Sequence, residues 1–134
     1  MATPHIIAAI VCEDIRKEIS NKDILIGVFS GDIVLPSFPS WLNLAFWLEI
    51  ATAELAMHEL RVRIQIGEQS PVEFKANLQI SRVGEASVSL PGLQVQIDKP
   101  TELLLEQFVD GNWQVFKRKK IIKGLLPLPS HSSG

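Results

Sequence analysis

The chain has 134 residues, of which 46% are apolar and 21% charged, and its formal net charge is −2. This composition excludes disorder as the main state, because a chain of this length can bury about two-thirds of its unfolded surface in one core. The near-neutral charge argues against nucleic acid or an anionic membrane surface as the principal partner.

The cysteine content and the hydropathy pattern narrow the class of protein further. Cys12 is the single cysteine, so it can form neither an internal disulfide nor a zinc cluster. No run of about 20 apolar residues is long enough to span a membrane. The first apolar run has no basic segment before it and is followed at once by Glu13 and Asp14, which argues against a signal peptide. We therefore expect a cytoplasmic protein without a membrane partner.

The first third of the chain predicts strands that are apolar on both faces. Between the first two lies a polar segment that fits one or two helical turns or a bend, and a Pro-flanked crossover loop precedes the third. An Ala/Glu-rich segment then predicts a linker with one turn of helix. In chain order these segments are Ile6–Val11, Glu13–Ser20, Ile24–Phe29, Pro36–Trp41, Asn43–Ile50 and Ala51–Met57.

The rest of the chain predicts strands with one polar face. Apolar and polar residues alternate strictly in the first three of these segments, which is typical of antiparallel sheets. The turn residues Gly67–Pro71 and Asp110-Gly111-Asn112 predict two hairpins. The predicted strands are His58–Ile66, Val72–Ser81, Leu93–Ile97, Glu102–Val109 and Trp113–Ile122.

These elements predict an all-β protein of seven to nine short strands, folded as an antiparallel β-sandwich of the immunoglobulin-like (Ig-like) or jelly-roll type. The predicted sandwich domain covers residues 1–123. Residues 124–134 form a Pro/Ser-rich C-terminal tail. The sequence leaves the strand order open.

Two segments near the N-terminus resemble a known family. Cys12-Glu-Asp-Ile-Arg16 and Gly27-Val-Phe-Ser-Gly-Asp32 are similar to segments of a bacterial family of small all-β proteins described only as a domain of unknown function. The resemblance implies a sandwich and a bacterial origin. It brings no catalytic residues with it.

Four residues are candidates for a binding site at one end of the sandwich. Asp14, Arg16 and Asp32 follow apolar strands, and close carboxylates beside an arginine can perform acid–base chemistry or bind a hard cation. Trp41 lies in the Pro-flanked loop and could contact a ligand. The simpler interpretation is that Asp14 caps a turn, Arg16 pairs with an acid and Asp32 is a turn residue.

The first strands carry more apolar surface than one core requires. If one set of alternate residues along each strand faces the core, the other set faces outward. The outward set would then include Ile7, Val11, Leu25, Phe29 and Trp47, an apolar patch that a monomer rarely exposes. The Ala51–Met57 linker or the Leu125–Leu128 tail could cover this patch. A second copy of the chain, forming a homodimer, is the alternative.

The remaining polar groups predict no chemistry. The basic run Lys117–Lys120 suits a solvated edge strand, His58 fits a strand-end histidine with a hydrogen-bond partner, and Cys12 fits a small buried residue. We therefore predict no catalytic residue, metal or cofactor. The predicted function is a non-enzymatic interaction module, self-associating or bound to another protein. The alternative is a small-molecule or carbohydrate binder, or a hydrolase, that uses the loop-end acids.

Overall fold

The computed structural model describes residues 3–52, 56–80 and 84–125, which contain ten β-strands. The strands are β1 (His5–Lys17), β2 (Asp23–Val28), β3 (Ile33–Leu35), β4 (Ser40–Thr52), β5 (Ala56–Ile66), β6 (Val72–Ile80), β7 (Gly84–Ser89), β8 (Leu93–Ile97), β9 (Thr101–Val109) and β10 (Asn112–Lys123).

The strands form two five-stranded sheets, so the predicted all-β sandwich-like fold is confirmed, with ten strands instead of the seven to nine predicted. Sheet I has the order β2-β1-β4-β7, and β8 pairs with the first half of β4. Sheet II has the order β3-β10-β9-β5-β6. The pairs are antiparallel except for the short pairing of β3 with β10, which is parallel.

The core lies between the two sheets, where the alternation of the sequence places it. Leu60, Val62 and Ile64 of β5 are buried, as are Leu103 and Leu105 of β9. Their counterparts on sheet I come chiefly from β4, in which alternate residues point inward. The β4 contribution is Leu42, Leu44, Phe46, Leu48 and Ile50.

The inward and outward faces of β1 and β2 differ from those predicted. A register shift between Ile6 and Ala8 in the β1–β4 pairing changes the phase of β1, because one extra residue turns every later side chain to the opposite face. Val11, predicted to face outward, is 1% exposed in the core. On β2 the predicted inward set is instead exposed: Ile24, Ile26 and Val28.

Parts of two segments predicted as irregular or helical are strands. Glu13–Lys17 continues β1 because these residues pair with β2, and the turn comes only after Lys17. β4 extends through Thr52 and β5 begins at Ala56, so the ends of the predicted linker are extended chain. Residues 53–55 lie outside the described residues. Strand pairing outweighs the weak helical propensity of such short segments.

Both predicted hairpins are confirmed. β5 ends at Ile66 and β6 begins at Val72, and β9 and β10 are joined through Asp110 and Gly111. Asp110 and Gly111 have φ of 51° and 81°, as a two-residue type I′ turn requires. The proposed tail begins beside β3, where the Gly124 amide donates to the Leu35 carbonyl. Residues 126–134 lie outside the described residues.

Candidate functional site

A cleft opens in sheet I where β1 separates from β4. The β1–β4 pairing ends at Cys12 opposite Ala45. Beyond that point β1 pairs with β2, whereas Ser40–Leu44 of β4 pairs with β8. The β1–β2 hairpin and the β4–β8 pair therefore form the two walls of a fork.

The fork borders a solvent-open depression of about 580 Å³, which we call the fork cleft. Its two walls contribute different chemistry. The hairpin supplies charged side chains and one exposed isoleucine, and the β4–β8 wall supplies amides and aliphatic residues. The lining residues are Glu13, Asp14, Arg16 and Ile26 on the first wall and Asn43, Leu44, Gly92, Leu93 and Gln94 on the second.

The charges on the hairpin wall are fixed by local contacts. Arg16 Nε donates to Asp14 Oδ2 at 3.0 Å, and the Ile15 amide donates to Asp14 Oδ1 at 2.9 Å. Both side chains are more than half exposed. Asp14 therefore lies within β1 rather than capping a turn, and the acid with which Arg16 pairs is Asp14 itself. In such an exposed pair the two charges partly neutralise each other with little gain in stability.

Glu13 is positioned by a glycine on the neighbouring strand. Gly27 has a φ of 67°, a conformation that side chains rarely adopt. A Cβ at this position would lie 2.7 Å from the Cδ of Glu13. The side chain of Glu13 therefore occupies space that only a glycine leaves open.

The outer side of the β4–β8 wall carries one aromatic and three amide side chains. Trp41 and Asn43 alternate with the buried residues Leu42 and Leu44, so both project to the outer side of sheet I. Trp41 is 64% exposed. Gln96 and Gln94 lie directly across β8, opposite Trp41 and Asn43 respectively. We call these four residues the β4–β8 face.

Of the four predicted binding residues, the structure brings three to this region. Asp14 and Arg16 line the fork cleft, and Trp41 belongs to the adjoining face. Asp32 does not line the cleft, because it lies in the loop between β2 and β3. That loop is held to sheet II by Lys119, whose ammonium donates to the Gly31 carbonyl at 2.8 Å.

The sequence did not single out Asn43, Gln94 or Gln96. The alternation along β8 did identify its two glutamines as outward-facing. What it could not show is that β8 pairs with β4, about fifty residues earlier in the chain, with the amides side by side. No local signal carries that pairing.

The five predicted interface residues do not form one exposed patch. Ile7 is 44% exposed, Val11 is buried, and the other three are partly buried. Trp47 Nε1 donates to Asp23 Oδ2 at 3.0 Å, which ties the turn end of the hairpin to the outer side of β4. Leu25 and Phe29, on the hairpin and just after it, are the remaining two. The hairpin thus covers part of the predicted patch, a role the sequence had assigned to other segments or to a second copy.

The remaining tryptophan, Trp113, belongs to a cluster on sheet II. The Arg63 guanidinium lies 4.4 Å from the centre of its ring, and the Phe108 ring meets it edge-on at 5.2 Å. Arg61 lies over Phe108 and donates to Glu73 at 2.7 Å. Here both arginines are engaged with aromatic rings and carboxylates, and Trp113 is a packed residue.

The basic run divides between the two faces of β10, as predicted, but only half of it is solvated. Arg118 and Lys120 are exposed. Lys117 donates to the Ala9 carbonyl at 2.6 Å, and Lys119 is 7% exposed. Burial, together with the charge of Lys117, lowers the pKa of Lys119. Lys117 therefore connects sheet II to β1 of sheet I, and Lys119 connects sheet II to the loop between β2 and β3.

Two predictions about single residues are confirmed. Cys12 is fully buried, and burial raises the pKa of its thiol, which makes it a poor nucleophile. His58 is 2% exposed, and its Nε2 lies 2.9 Å from the Thr52 hydroxyl. Across the parts of the chain that the structure describes, no three histidine, cysteine or acidic side chains gather as a metal site.

Comparison with protein-family models, curated proteins and solved structures finds no match to this chain. The resemblance to a bacterial family therefore stays a prediction. No helix in the described ranges has the length and apolar character needed to cross a membrane.

Proposed function

We propose that the protein is a non-enzymatic binding module that holds a small polar ligand in the fork cleft. The observation that carries this proposal is the meeting of Asp14 and Arg16 with Asn43 and Gln94 around one hollow of about 580 Å³. Small-molecule sites typically measure ~300–1,000 Å³ and orient their ligand with a few polar groups. The cleft has that size and that mixture of groups.

The chemistry of the cleft favours binding over catalysis. Its described lining includes no histidine or cysteine. Glu13 and Asp14 are exposed, and Asp14 is paired with Arg16. Both suit the role of charged hydrogen-bond acceptors.

The proposal is tested by screening mixtures of small polar molecules against the full chain by amide-resolved NMR. We expect the shifted amides to cluster at the fork cleft. Asn43→Ala should weaken binding about 10-fold, the effect of one lost hydrogen bond. Asn77→Ala is the matched control, since Asn77 is exposed on β6 of the other sheet. Shifts that cluster elsewhere, or equal binding by wild type and Asn43→Ala, would contradict the proposal.

Self-association is a second candidate, supported by the exposed stripe Ile24, Ile26 and Val28 on β2. β2 is an edge strand of sheet I, and β-branched residues on an exposed edge suit pairing with a second copy. Three side chains cover less than the ~800 Å² per partner of a stable interface, so the dimer would be weak.

Light scattering across a concentration series tests this candidate. We expect the average molecular mass to rise with concentration for the wild type and for the control Ile7→Lys. We expect Ile24→Lys to stay monomeric at every concentration. A wild-type chain that stays monomeric at all concentrations would exclude it. Cytoplasmic location and bacterial origin are proposals that rest on the sequence alone.

A further inference from the structure

We infer that the ligand is a neutral saccharide, stacked on the indole of Trp41 and hydrogen-bonded by Asn43 and Gln94. This inference rests on the proposed function and names the class of ligand for the same site. It is argued from the exposure of one tryptophan, the placement of the amides and the charge of the cleft.

Trp41 is the one tryptophan of the three whose ring is largely exposed. Its exposed fraction is 64%, whereas Trp47 is half-buried against the hairpin and Trp113 is packed among Arg63 and Phe108. The alternation of β4 fixes its direction, because Leu42 beside it is anchored in the core. A flat aromatic face on a rigid strand is a stacking platform. The apolar C–H face of a sugar ring suits such a platform.

The side-chain amides beside Trp41 suit the hydroxyl groups at the edge of a sugar ring. Asn43 lies two residues further along β4, roughly 7 Å away. Gln94 lies directly opposite Asn43 on β8, about 5 Å across the strands. An amide offers both donors and acceptors, and so does each hydroxyl of a sugar. Two amides side by side can therefore engage neighbouring hydroxyls from one wall.

The charge of the cleft selects against anionic ligands. It contains two carboxylates, Glu13 and Asp14, and one guanidinium, Arg16, which is already paired at 3.0 Å. A phosphate or carboxylate would meet a net negative charge, and the one guanidinium among the lining residues is already shared with Asp14. The same carboxylates are good acceptors for hydroxyl donors. A nucleotide could stack on Trp41, but its phosphate would be repelled.

The experiment is an NMR titration of the full chain that follows the three indole N–H signals and the backbone amides. The probes are neutral mono- and disaccharides, with glucuronate, glucosamine and uridine as comparison ligands. We expect a neutral saccharide to shift the Trp41 indole and the Asn43 and Gln94 amides. Glucuronate should bind at least 10-fold more weakly than the matching neutral sugar.

The variants separate stacking from general effects on the fold. Trp41→Ala should reduce saccharide affinity at least 10-fold, Trp41→Phe less, and Trp113→Phe, on the other sheet, not at all. An unchanged affinity in Trp41→Ala, or no shift with any neutral saccharide, would overturn the inference. If glucosamine or uridine binds in the cleft and neutral saccharides do not, the inference of a neutral saccharide fails while the proposed function survives. If the earlier mixture screen places ligands elsewhere, both fail.

Discussion

The indole of Trp47 donates a 3.0 Å hydrogen bond to the carboxylate of Asp23, and this bond joins β4 to β2, two strands of sheet I that are not direct neighbours. Trp47 lies on the outer side of β4, opposite Ile10, and Asp23 begins β2 after the hairpin turn. Lys17 completes the contact, with its ammonium 2.7 Å from Asp23 Oδ1. The hairpin is thereby fixed in the position that leaves the fork cleft open on its other flank.

Asp23→Asn should destabilise the fold by about 1–3 kcal/mol, because a largely buried hydrogen bond to a charged group and an ion pair are weakened together. Urea unfolding measures the change, and the Trp47 fluorescence should shift to the red. The control is Asp32→Asn, because Asp32 is an exposed loop residue. Its free energy of unfolding should stay within about 0.5 kcal/mol of the wild-type value. Equal midpoints for the two variants would show that the Asp23 contact does not stabilise the hairpin.

Asp23 also predicts a specific dependence on pH. The hydrogen bond from Lys17, and then that from Trp47, hold the pKa of Asp23 below its ordinary value. A lowered folded-state pKa stabilises the protein above the unfolded pKa of ~4, and this stability is lost as pH falls through the lower folded value. The free-energy difference between wild type and Asp23→Asn should therefore shrink below pH 4. Urea unfolding of both proteins at several values from pH 7 to pH 2 measures this difference. A difference that does not change with pH would contradict the prediction.

Gly27→Ala should destabilise the protein by about 1–2 kcal/mol or more. A non-glycine residue at a φ of 67° is strained, and the added Cβ would meet the Glu13 side chain at 2.7 Å. Gly31→Ala is the matched control, since no atom lies within 4 Å of its added Cβ. Chemical denaturation compares the two variants. A Gly27→Ala protein as stable as the control would mean that Glu13 and the hairpin relax without cost.

Phe46→Ala should cost about 3–5 kcal/mol, because Phe46 is fully buried between the sheets and its loss leaves a cavity. Phe116→Ala is the comparison within the same residue type. Phe116 is 39% exposed beside the irregularity in β10, so its removal should cost under ~1 kcal/mol. Thermal or urea unfolding of the two variants measures the difference in stability. A similar loss of stability in both would show that Phe46 is not a core residue.

The later strands could be read from the sequence because their buried and exposed residues alternate without interruption. His58–Ile66 and the Asp110–Gly111 turn are examples in which local pattern and turn chemistry agree with the fold. The first strands gave no such signal, since both of their faces are apolar. A single register shift near Ile6 then decided which face of β1 is inside. No pattern of hydrophobicity reports a bulge in a strand that is apolar on both sides.

The residues of the candidate site likewise fall into two groups, those that the sequence predicted and those that only the structure revealed. The sequence by itself marked Asp14, Arg16 and Trp41, because charged residues beside apolar strands and an aromatic residue in a Pro-flanked segment stand out locally. Only the tertiary structure added Asn43 and Gln94, and only it separated Asp32 from the others. Residue type and alternation are local properties and are fixed by the chain. The fork cleft depends on where β1 leaves β4 and on which distant strand takes its place, and those pairings are decided by packing across the whole sheet.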